Sequence, residues 1–165
     1  MPSISAHKPS AKGYYRQRGT LENPGRDYVF STPDPLFCFG HGLSYTEFEY
    51  SNLKIESKEL QTGEPLRITC DVKNIGDIKG KEVVQLYLND KVSSVTTPVK
   101  MLKGFRKIEI EPGESKLVSF EINFNELSLW NQEMKKLVEP GEFDVLVGSS
   151  SEDIRLKDTF NVSKQ

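Results

Sequence analysis

A chain of 165 residues with 22 Lys and Arg against 24 Asp and Glu carries a formal charge of −2 with both histidines neutral, which excludes a polybasic nucleic-acid binder. Hydrophobic residues make up 36% and aromatics 10%, which supports a core and argues against disorder throughout. No apolar run reaches the ~18 residues of a membrane-spanning helix, and the length suits one domain with additional segments.

Residues 1–50 read as a long irregular segment. Pro9, Gly13, Gly19, Pro24, Gly25, Pro33 and Pro35 break any helical or strand period. Yet the segment holds Tyr14, Tyr15, Tyr28, Phe30, Phe37, Phe39, Tyr45, Phe48 and Tyr50, far more aromatic surface than a flexible linker carries. Rings in such number need something to pack against, and long structureless loops are rare inside compact domains. The expected partner of this segment therefore lies largely outside this chain.

From residue 51 the pattern changes to period two, which places alternate side chains on opposite faces of a strand. Leu66, Ile68, Cys70 and Val72 alternate with Arg67, Thr69, Asp71 and Lys73. Further rows are Val84, Leu86 and Leu88; Val118, Phe120 and Ile122; Phe143, Val145 and Val147; and Ile154, Leu156, Phe160 and Val162. Gly148-Ser149-Ser150-Ser151 turns between the last two rows, and one helical turn is expected around 125–127. The tetrads Glu111-Pro112-Gly113-Glu114 and Glu139-Pro140-Gly141-Glu142 each precede a strand. Pro presets φ at the second turn position and Gly admits positive φ at the third, so both are expected to form type II turns. Seven or eight short strands without intervening helices predict an all-β, antiparallel β-sandwich of immunoglobulin or fibronectin type III character, behind a long irregular N-terminal extension.

Chemistry-bearing patterns are sparse. Cys38 and Cys70 match no metal-ligand spacing and are expected to be reduced and structural. His7 and His41 are the only imidazoles, and His41, flanked by Gly40 and Gly42, is expected to pack or hydrogen-bond. No Gly-x-Ser-x-Gly elbow and no phosphate-cradling glycine loop occurs, so no catalytic residue, metal or cofactor is expected. Trp130 has two readings: a core residue, the commoner place for a lone Trp in a sandwich, or a platform for a carbohydrate. Lys100, Lys103, Arg106 and Lys107 read as a solvated strand face balanced by Glu109 and Glu111. Asn161-Val162-Ser163 fits a glycosylation sequon.

The string Pro35-Leu36-Phe37-Cys38-Phe39-Gly40-His41-Gly42-Leu43-Ser44-Tyr45-Thr46-Glu47-Phe48 resembles the junction that leads into the C-terminal fibronectin type III-like domain of glycoside hydrolase family 3 β-glucosidases. Gly80-Lys81-Glu82-Val83-Val84-Gln85-Leu86-Tyr87, Pro98-Val99-Lys100-Met101-Leu102-Lys103-Gly104-Phe105 and Pro140-Gly141-Glu142-Phe143 resemble that domain in order and spacing. Cys38 stands where the family usually has Pro. The resemblance implies a division into a junction segment, 1–50, and a sandwich, 51–165. It also implies that the family's nucleophilic Asp and acid/base Glu lie upstream, so neither maps onto this chain. The implied role is a noncatalytic accessory domain, inactive alone, whose partners are the catalytic domains of the same parent enzyme. The segment aromatics Tyr14, Tyr15, Tyr28, Phe30, Phe37, Phe39 and Tyr45, together with His41, are the candidate interdomain interface. A freestanding carbohydrate- or surface-binding module centred on Trp130 is the alternative, and a homo-oligomer contact is a further role such a domain could take.

Overall fold

The computed structural model describes residues 35–61 and 64–163. Among the described residues, ten strands and one helical turn follow in chain order: β1 (Phe48–Ile55), β2 (Glu59–Gln61), β3 (Leu66–Asn74), β4 (Gly80–Asp90), β5 (Met101–Ile110), β6 (Ser115–Ile122), α1 (Phe124–Leu127), β7 (Leu129–Trp130), β8 (Lys136–Leu137), β9 (Gly141–Gly148) and β10 (Ile154–Ser163). Two sheets face each other, one ordered β1-β3-β6 and the other β2-β10-β9-β4-β5, with β7 and β8 forming a separate ribbon. No helix among the described residues is long and apolar enough to cross a membrane.

The period-two rows become the two inner faces. Ile68, Cys70 and Val72 of β3, with Val118, Phe120 and Ile122 of β6, line one sheet, and all are buried. Val84, Leu86 and Leu88 of β4, Val145 and Val147 of β9 and Phe160 of β10 line the other. Register holds the faces together: Phe143 lies opposite Phe160, and their rings stack with centroids 5.4 Å apart. Each large apolar side chain in these rows contributes about 1.5–3 kcal/mol on leaving water. Cys70 is part of this core, and burial, with Asp71 adding to it, pushes its thiol up to about 11.

One pairing departs from the antiparallel plan, because β2 runs parallel to β10. The chain changes sheets after β1: Glu56 N–H still donates to Arg67 O on one side, while Asn161 N–H donates to Lys58 O on the other. The strand begins three residues before residue 51, since Phe48 and Tyr50 already point into the core.

The two Pro-Gly tetrads diverge. Glu114 N–H donates to Glu111 O (3.0 Å) and Gly113 has φ +75, the geometry of a type II turn. Gly141 instead has φ +156 and pairs with Val162 as the first residue of β9. The ladder to β10 has extended the second tetrad, so identical residues give a turn in one place and a strand entry in the other. Before α1, Asn123 forms a capping box, its Oδ1 accepting from Asn125 N–H (3.0 Å) and its N–H donating to Glu126 Oε2 (3.0 Å).

Candidate interdomain surface

Residues 35–47 run as a strap over the outer face of the five-stranded sheet. Along β4, Val84, Leu86 and Leu88 point inward, so Gln85 and Tyr87 must point out. Both are nevertheless buried, Gln85 being only 4% exposed. The strap and the β9–β10 turn cover them. Gln85 Nε2 donates to Gly40 O (3.0 Å) and to Ser149 O, and Gln85 Oε1 accepts from the Tyr87 hydroxyl. Burial pushes the Tyr87 phenol up to about 12. Ser151 N–H donates to Phe39 O (2.9 Å), and Cys38 Sγ lies 3.3 Å from Ser150 Oγ. The Cys38 thiol is thus a hydrogen-bonding group against the sandwich, and both cysteines are free.

The far end of the strap meets Asn74, which is fully buried. Its Oδ1 accepts from Thr46 Oγ1 (2.7 Å) and Gly76 N–H (3.1 Å), and its Nδ2 donates to Ile78 O (2.8 Å) and Ile110 O (3.1 Å). Ile75 N–H adds a bond to Glu47 O (2.9 Å). Every polar atom of this buried amide is satisfied, as its burial demands.

Between these ends the side chains face solvent. Leu43 is 94% and Tyr45 98% exposed, and ahead of the first anchor Leu36, Phe37 and Phe39 are exposed as well. His41 stacks on Phe37 with ring centroids 5.1 Å apart. A cleft of about 950 Å³ opens beside the strap, lined among others by Phe39, Leu43, Val83, Leu102 and the exposed Phe105. At its base the Tyr50 hydroxyl donates to Glu82 Oε1 (2.7 Å). The Arg155 guanidinium lies 4.8 Å from the Tyr50 ring centre and donates to Phe48 O and to Asp153 Oδ2. Desolvation, reinforced by the hydrogen bond and charge of Glu82, holds the Tyr50 phenol above its ordinary value. Three strands, β1, β4 and β10, are thereby tied by one polar cluster whose donors and acceptors face each other. Among the described residues no group of His, Cys, Asp and Glu is arranged to hold a metal ion.

Of the candidate interface residues, Phe37, Phe39, His41 and Tyr45 lie on the strap. Tyr14, Tyr15, Tyr28 and Phe30 lie outside the described residues. Sequence reasoning missed Leu36, Leu43 and Phe105, because it weighed aromatic density in the first segment alone. It also missed Gln85, which alternation assigns to a solvated face.

Two expectations are corrected. Trp130 is not a core residue: it is 58% exposed on the β7–β8 ribbon, outside both sheets. The flanking Leu127 and Val138 enter the core in its place. The basic residues also do not share one solvated face balanced by Glu109 and Glu111. Those carboxylates are taken by Lys79 (2.6 and 2.9 Å) and Lys81 (3.4 Å to Glu109), because the register sets Lys81 opposite Glu109. Lys100 reaches Ser151 O, Arg106 lies 5.8 Å from the Phe120 ring centre, and burial lowers the Lys103 pKa.

The comparisons with known proteins agree with this architecture. Residues 82–151 match the family described as fibronectin type III-like domain. The chain is 44% identical over 144 residues to a β-xylosidase of Formosa agariphila, covering 87% of this chain and 20% of that protein. It is 46% identical over 131 residues to thermostable β-glucosidase B of Acetivibrio thermocellus, covering 79% of this chain and 17% of that protein. A β-glucosidase from Listeria innocua solved with isofagomine superposes with a TM-score of 0.78 at 39% identity, over 91% of this chain and 21% of that one. The chain thus spans about a fifth of the length of the relatives it matches. With two facing sheets, the strap leading into β1 and these matches in hand, the chain belongs to the fibronectin type III-like domains carried by family 3 β-glucosidases and β-xylosidases.

Proposed function

We propose that this chain is a noncatalytic accessory domain of a β-glucosidase-type glycoside hydrolase and that it stabilises the catalytic domains by packing against them. The observation that supports this reading best is the strap, where Leu36, Phe37, Leu43 and Tyr45 expose apolar surface on backbone that is hydrogen-bonded to the sandwich. Contiguous exposed apolar groups at one place on a soluble domain mark a contact surface. In this reading the domain sets the orientation of the catalytic parts without touching substrate, and misplacement at such a distance costs as much as about 10²-fold in rate.

The test is complementation. The catalytic portion of a relative, expressed without its own copy of this domain, is mixed with the chain, and its melting temperature and turnover of an aryl β-glucoside are measured. The expected outcome is a rise in both with the wild-type chain, no rise with Leu43→Ser/Tyr45→Ser, and no turnover by the chain alone. Absence of any rise with the wild-type chain would sink the proposal.

A second reading is favoured by the exposure of Trp130 on its ribbon: a carbohydrate contact at that indole. Titration with soluble β-glucans separates the two. Saturable binding that is lost in Trp130→Ala supports the module, and its absence leaves the accessory role alone.

A further inference from the structure

Exposed apolar residues on a loop are ordinarily mobile, and ordering them on contact with a partner costs about 0.5–1.5 kcal/mol for each rotamer-rich side chain. The strap is built differently. At one end the Gln85 amide commits both donor bonds to backbone carbonyls, one in the strap (Gly40) and one in the β9–β10 turn (Ser149). At the other end the Asn74 amide holds Thr46 by its hydroxyl, and Glu47 O is held by Ile75 N–H. The two anchors lie on different sheets, since Gln85 belongs to β4 and Asn74 ends β3. Residues 41–45 bow outward between them. Anything larger than glycine at the first anchor must displace the Gln85 amide: Gly40 has φ +78, which strains other residues, and a Cβ placed there would come within 2.0 Å of Gln85 Oε1.

We infer that Gln85 and Asn74 are positioning residues, two buried amide clamps that preset the bow so that Leu43 and Tyr45 are offered in one arrangement before any partner docks. What the bow is offered to rests on the accessory-domain reading above. The clamps do not, so a measurement on this chain alone can fail while that reading stands, or succeed while it falls.

Amide hydrogen exchange on the full 165-residue chain reads the clamps directly. The reporters are Ser151 and His41 N–H for the Gln85 end and Ile75 N–H for the Asn74 end, because each of these donates within or onto the strap. Gln85→Glu removes both donors while keeping the oxygen that accepts from Tyr87. Gly40→Ala loosens the same end from the strap side and leaves the core composition untouched, which covers the case in which a carboxylate buried at position 85 prevents folding. Each is expected to speed Ser151 and His41 exchange by about tenfold or more through local opening, with Ile75 and the β3 amide of Ile68 unchanged. Thr46→Val is expected to do the reverse, speeding Ile75 and sparing Ser151. Unchanged Ser151 and His41 rates in Gly40→Ala overturn the inference. So does acceleration of Ile68 in step with them, which would make the anchors ordinary contributors to global stability.

Discussion

The inner faces of the sandwich and the strap that crosses its outside use similar residues under opposite conditions. In the core, Phe160, Ile68 and Val145 are shielded from water and held by neighbours on every side. On the strap, Leu43 and Tyr45 are almost bare, and order comes instead from hydrogen bonds to the backbone and to two buried amides. Apolar character alone therefore does not locate a residue in this protein. What places it is whether the backbone beneath it is paired into a sheet facing another sheet or is pinned across the back of one.

Thiol chemistry gives the largest contrast between the two regions. Cys38 sits half-buried on the strap, whereas Cys70 is inaccessible and its thiol is pushed up to about 11. Ellman's reagent is expected to consume one thiol in the native chain, with the second reacting at least ~10³-fold more slowly because the core must open first. Two equally fast thiols would break the distinction.

Truncation of the core comes next. Phe160→Ala removes one ring of the Phe143–Phe160 stack and is expected to cost about 3–5 kcal/mol in urea denaturation. A loss well under about 1 kcal/mol would mean that the site collapses around the missing ring. Smaller is the acid response of Asp153. Hydrogen bonds from Arg155 and then Ser149 hold its carboxyl below the ordinary value of 3.8. A carboxylate whose folded pKa is depressed stabilises the fold above its unfolded pKa and loses that contribution as pH falls through the folded value. Asp153→Asn should therefore narrow the gap in melting temperature between pH 7 and pH 3, modestly, since the group is half exposed. A gap as wide as the wild type's would show that the pair is silent. Smallest of all, Leu43→Ser/Tyr45→Ser should change the stability of the chain alone by no more than about 0.5 kcal/mol. A loss comparable to that of Phe160→Ala would place these residues in the fold and end their role as contact groups.

Much of the sandwich was legible because its signal is local. The row Leu66, Ile68, Cys70, Val72 reads as a half-buried strand from alternation alone, and burial follows the same row. Strand β5 was less clear. Its outer residues remain open, and the register shift between Leu86 and Tyr87 interrupts the alternation near Gly104. The choice between the two readings of Trp130 is not legible in the sequence, because nothing in Leu127-Ser128-Leu129-Trp130 marks that the short β7 pairs only with β8. Gln85 could not be read at all, since a polar residue on an outward face looks solvated unless the strap that covers it is known.

The period-two strands β3, β4, β6, β9 and β10, their inner faces and the kinship are written in local sequence, since each follows from near neighbours in the chain: periodicity, turn residues and a contiguous junction motif. Tertiary structure alone decided that Gly113 turns while Gly141 extends, that Trp130 meets solvent, that Glu109 pairs with Lys79, and that Gln85 and Asn74 hold the strap. Each of these depends on which distant strand arrives alongside, and residue type carries no record of that arrival.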